Sequence, residues 1–155
     1  MFLSLKRTQV AIAAAFLGSA YPATIAAAPV TILNAQMAAE DSNPGAAAAT
    51  RIVVGPYRTR AVVFVTAWGD SSYNGPGANS GILVSIVDGD RPLARDDSFQ
   101  EPSSSMNYRA SASSNFVLNP GERRIISART DPYGQQSAGN KGTSVHMTLI
   151  ALQAQ

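Results

Sequence analysis

The clearest pattern along the chain is a period of two over residues 106–118. Even positions there carry Met106, Tyr108, Ala110, Ala112, Ser114, Phe116 and Leu118, and odd positions carry Asn107, Arg109, Ser111, Ser113, Asn115 and Val117. Side chains alternate across a β-strand, so this run reads as one extended segment with one face buried and the other solvated. Residues 60–68 behave differently. Ala61, Val63, Val65 and Ala67 fall on one side, and Val62, Phe64, Thr66 and Trp68 on the other. Both sides are apolar and rich in β-branched and aromatic residues, which predicts a central strand buried on both faces.

Further strands are expected at 52–54, 82–87, 92–99, 124–129 and 145–152. In the last, Val145, Met147, Leu149 and Ala151 fall to the core, and His146 and Thr148 fall outside. Gly55-Pro56 marks a turn, and Asp88-Gly89 is read as a two-residue hairpin turn because both residues tolerate positive φ. Asn119-Pro120-Gly121-Glu122 has the type II arrangement, with Pro second and Gly third. Pro92, Arg95, Asp96 and Asp97 suit an edge strand that discourages pairing with other chains. Residues 69–79 and 131–143 are read as two long loops. Seven or eight short strands without a helix predict an all-β fold, an antiparallel β-sandwich of jelly-roll-like or immunoglobulin-like type. The Cys–Trp–Cys mark of the immunoglobulin type is absent, since the chain has no cysteine.

The N-terminal pattern is of another kind. Lys6 and Arg7 precede an apolar run at 10–18, followed by the small residues Gly18, Ser19 and Ala20 and then Ala26, Ala27 and Ala28. This is the three-part layout of a secretory signal peptide, over residues 1–28 with cleavage between about 20 and 28. The run is much shorter than the roughly 20 residues a membrane-spanning helix needs. The expected product is periplasmic or secreted, with no membrane span in the mature protein. Residues 29–50 are read as a linker or short N-terminal strand: residues 29–33 have strand character, and 34–50 are rich in Ala, Gly, Ser and Asn. Residues 51–155 are the expected β-sandwich domain.

Charge then removes one class of partner. Of 12 basic residues, Lys6 and Arg7 belong to the leader, so the remaining ten balance the ten acids. A neutral mature chain lacks the basic stripe of a nucleic-acid binder. Lacking cysteine, it has no thiol chemistry or disulfide staple, and packing and sheet hydrogen bonds must hold it together.

Candidate chemistry is sparse. Gly69-Asp70-Ser71 after a hydrophobic strand is similar to the nucleophile block of lipase-like hydrolases. Such enzymes need an α/β fold and a histidine with an aspartate three residues before it; the single histidine here is His146, and position 143 is Thr. A serine without its base is a poor nucleophile. No second His or Cys joins His146 in a zinc set. Asp88 and Asp90 are weak calcium candidates, because turn chemistry already explains them and Arg91 lies beside them. No cofactor is expected. The long loops carry Tyr73, Asn74, Tyr133, Gln135 and Asn140, with Trp68 at the entrance of the first. Aromatic rings beside amides suit sugars: the ring covers C–H surface and the amides bond hydroxyls. If residues 106–118 form one unbroken strand, strand parity puts both loops at one end of the sandwich.

These features point to an exported, non-enzymatic binding or structural domain that uses its loops to hold a glycan, a cell-envelope component or another protein. The alternatives are a small secreted serine hydrolase centred on Ser71, and a self-assembling surface subunit in which the strand at 30–33 pairs with a neighbour.

Overall fold

The computed structural model describes residues 30–43, 46–74, 80–100, 105–134 and 140–154. The expected leader lies outside them. The described residues form eight strands: β1 Ile32–Ser42, β2 Ala48–Val54, β3 Ala61–Asn74, β4 Ser80–Asp88, β5 Arg91–Gln100, β6 Ser105–Leu118, β7 Arg124–Gly134 and β8 Asn140–Gln153. They build two four-stranded antiparallel sheets, ordered β1-β8-β3-β6 and β2-β7-β4-β5, packed face to face as a β-sandwich. Among the described residues there is no helix, and so none long and apolar enough to cross a membrane.

The core follows from the alternations. Val63, Val65 and Ala67 of β3, Tyr108, Ala110 and Ala112 of β6, and Val145, Met147, Leu149 and Ala151 of β8 are buried against Ile82, Val84 and Ile86 of β4 and Ile126 and Ala128 of β7. Each fully buried Val, Leu, Ile or Met side chain among them contributes about 1.5–3 kcal/mol. Gly69 sets the gap between the sheets. A Cβ there would overlap the side chain of Thr130, which reaches across from β7.

Several boundaries differ from the sequence expectation. Residues 32–42 form a full edge strand, and β2 begins at Ala48, within the stretch read as linker. The Ala-rich composition hid them, because small side chains give little contrast between faces. β3 runs on to Asn74, β7 to Gly134, and β8 starts at Asn140, so much of both expected loops is strand. The hairpin turn is Gly89-Asp90, one residue later than expected, with Asp88 paired to Arg91 and Gly89 at φ 57°. The Asn119–Glu122 turn matches its expected type: Glu122 N–H donates to Asn119 O at 3.1 Å, and Gly121 has φ 78°. β5 is an edge strand.

β6 is unbroken over 14 residues. Its register with β3 places Asn74 opposite Ser105, while Tyr73 lies opposite Asn140 of β8 and Ser80 lies opposite both Gln100 and Gly134. The strand ends flanking both long connections therefore lie at one end of the sandwich.

Candidate functional site

β3 is central in its sheet but is not buried on both faces. Its second apolar side, Val62, Phe64, Thr66 and Trp68, is the outer surface of sheet β1-β8-β3-β6. Paired residues of neighbouring strands project from the same face, so the register resolves this surface into rows running β1, β8, β3, β6. From the long-connection end they are Asp41, Ser144, Asp70, Arg109; then Ala39, His146, Trp68, Ser111; then Met37, Thr148, Thr66, Ser113; then Ala35, Ile150, Phe64, Asn115; and last Ile32, Leu152, Val62, Val117.

After the first row there is no Asp, Glu, Lys or Arg. The large apolar side chains that the described residues expose are concentrated here. Ile32, Met37, Phe64, Trp68, Val117 and Ile150 lie on this sheet, and Ile125 alone on the other, with Met37 84% exposed. A shallow groove of about 210 Å³ lies between Met37, Ala39, Trp68 and His146.

Trp68 is the centre of this surface. Its ring stacks on His146 with centroids 3.8 Å apart and planes 9° from parallel. The guanidinium carbon of Arg109 lies 5.6 Å from the Trp68 centroid, within cation–π range. His146 comes from β8 and Arg109 from β6, the strands on either side of β3. The indole is thus held between two neighbours rather than offering a bare face. In the next row, Ser144 Oγ donates to Asp70 Oδ1 at 2.9 Å. Asp70, Ser72, Asn107 and Arg109 border a second, polar cleft of about 460 Å³ towards the long-connection end.

The residues singled out from sequence do not gather into one site. Trp68 sits mid-strand on one outer face, not at a loop mouth. Tyr133 is on the opposite outer face, where its ring covers Gly81 and its hydroxyl donates to Asp97 Oδ2 at 3.4 Å. Burial raises the Tyr133 phenol above its ordinary range, and the Asp97 carboxylate raises it further. The expectation set Trp68 at a loop entrance and Tyr133 in a loop; both lie within strands, and strand parity sends them to opposite sides. Tyr73 and Asn140 are register partners across β3 and β8, Asn74 pairs with Ser105, and Gln135 lies outside the described residues.

Ser71 is 2% exposed and faces the interior, with its Oγ donating to Gly142 O at 3.0 Å and 3.4 Å from Thr143 Oγ1. His146 projects from the opposite face of the same sheet. Gly69-Asp70-Ser71 is strand rather than a loop opening. Asp88 is ion-paired with Arg124 at 3.1 Å, Asp90 is an exposed turn residue, and no group of three or more metal-ligating side chains occurs among the described residues.

At the far end, Asn119 N–H donates to Glu122 Oε2 at 2.9 Å and Arg124 binds Glu122 Oε1, which together lower the Glu122 carboxyl below its ordinary range. Desolvation pulls the Arg124 guanidinium down, but Glu122 and Asp88 outweigh it and the net shift is upward.

The outer-face residues Met37, Phe64 and Ile150 were not singled out from sequence. The signal available was the two-sided apolar pattern of β3, which fits an exposed sticky face as well as a doubly buried strand.

No protein-family model matches the chain, and the search of curated proteins finds no match.

Proposed function

We propose that the chain is an exported, non-enzymatic binding or structural domain whose contact surface is the outer face of sheet β1-β8-β3-β6. We read its strand order as that of a jelly roll, an eight-stranded sandwich of two Greek keys, rather than the immunoglobulin arrangement. The observation that carries the reading is the concentration of exposed large apolar side chains on four rows without a formal charge. Contiguous apolar surface of that kind, rimmed by polar residues, marks protein contact. An occluded indole favours a protein partner over a sugar, which needs an open ring face. The hydrolase reading loses its support because Ser71 and His146 point to opposite sides of one sheet.

The test places a photo-crosslinking residue at Met37, or at Arg51 on the opposite face, in cells that export the chain. Discrete protein adducts from Met37 and none from Arg51 are expected. Equal labelling from both positions, or none from either, sinks the reading.

A second reading rests on the polar cleft. Asp70, Ser72, Asn107 and Arg109 offer carboxylate, hydroxyl, amide and guanidinium groups close to the end where Tyr73 and Asn140 pair. That set suits a glycan of the cell envelope. Titration with polysaccharides and peptidoglycan fragments tests it: a saturable change in Trp68 fluorescence, lost on Asn107→Ala, is the expected result. No change with any of them removes this reading.

A further inference from the structure

Resting on the reading of this face as a contact surface, the geometry points to a second copy of the same chain as its occupant, packed face to face about a two-fold axis parallel to the strands. Such an axis, passing between β8 and β3, lays β1 over β6 and β8 over β3 of the second copy. Each row then meets itself read backwards.

The rows are complementary under that reversal. Asp41 meets Arg109, twice over by symmetry, while Asp70 stays on the Ser144 hydroxyl of its own chain. In the following rows His146 meets Trp68, Thr148 meets Thr66, and Ile150 meets Phe64. Among the described residues neither Asp41 nor Arg109 has an ion-pair partner within the chain. A two-fold axis perpendicular to the strands gives the opposite result. It sets the row of Asp41, Asp70 and Arg109 against Ile32, Leu152, Val62 and Val117, burying charge against aliphatic surface at a cost of several kcal/mol.

The area is sufficient. Four strands about 4.8 Å apart and five rows about 6.8 Å apart cover roughly 650 Å² per copy, or about 1,300 Å² in all. Specific interfaces bury about 1,200–2,000 Å² in total. Aligned sheets pack at about −30°, which keeps the central rows opposed.

Analytical ultracentrifugation of the purified exported protein tests the inference. A reversible monomer–dimer equilibrium is expected. Thr66→Glu, at an exposed position in the middle of the uncharged rows, buries an unpaired carboxylate from each copy and raises Kd at least about a hundredfold. Ser85→Glu on the opposite face leaves Kd unchanged. Asp41→Arg and Arg109→Asp each raise Kd about fivefold, and the double variant returns it to within about twofold of the original. Circular dichroism confirms that each variant is folded. A monomer at every concentration, a dimer indifferent to Thr66→Glu, or a double variant no better than the singles overturns the proposal. The Met37 crosslink separates its failure from that of the contact-surface reading. An adduct of twice the chain mass belongs to a second copy. A monomeric protein with a different adduct mass keeps the surface and discards the second copy.

Discussion

The outer face of sheet β2-β7-β4-β5 carries Arg51, Arg95, Asp97, Arg129 and Asp131, whereas four of the five rows on the opposite outer face carry no Asp, Glu, Lys or Arg. Each face also places an aromatic residue on an interior strand of its sheet, and uses it differently. Tyr133 covers Gly81 and points its hydroxyl at Asp97, completing its surroundings within one face. Trp68 is stacked between His146 and Arg109 and remains partly exposed, in a field of apolar neighbours. The same pleated backbone therefore presents one charged side and one side that is largely uncharged and apolar. What separates them is the charge pattern, not exposure alone.

The comparison breaks most sharply under added charge. Thr66→Glu is expected to abolish association measured by sedimentation, while Ser85→Glu does nothing; an equal response from both removes the distinction between the faces. Next comes Gly81→Ala. A Cβ there would run into Tyr133 and the carbonyl of Ser98, so a loss of about 1–3 kcal/mol is expected in urea unfolding, with association intact.

Thr130→Val tests the core alone. The Thr130 hydroxyl is fully buried and has no hydrogen-bond partner among the described residues. Replacing it with a methyl group should stabilise the fold by about 1 kcal/mol in the same assay, without changing association. The smallest effect concerns alkaline pH. The Tyr133 phenol is raised above its ordinary value of 10.0 in the folded state. Its contribution to stability is therefore fully present below pH 10 and is lost as pH rises through the folded value. Tyr133→Phe should flatten the alkaline limb of the stability profile, and an unchanged limb contradicts that role.

Much of the fold was legible in the sequence because burial writes itself as alternation. Residues 106–118 and 145–152 gave their core faces correctly, and the turn at Asn119–Glu122 gave its type through Pro120 and Gly121. Two things were not legible. The middle of β1, residues 34–39, is Asn, Ala, Gln, Met, Ala and Ala, whose inward and outward positions differ little in polarity, so its alternation carries almost no contrast. The candidate surface depends on which strands are neighbours. An apolar side on β3 means a second core if another layer covers it and a sticky face if none does. Local sequence holds no record of that layer. The same limit separated Trp68 from Tyr133, since their sides are fixed by register across strands far apart in the chain.

One small contact limits how such a molecule can grow. Asp96 of edge strand β5 reaches across the gap between the sheets and accepts a hydrogen bond from the Ser111 amide of edge strand β6, at 3.3 Å. That amide would otherwise be open to an incoming strand. Chains that add edge to edge without end need a free border on each side of the unit, one to receive and one to offer. Here the β6 border carries a carboxylate cap at Ser111, and a cap of that kind discourages an added strand at that point.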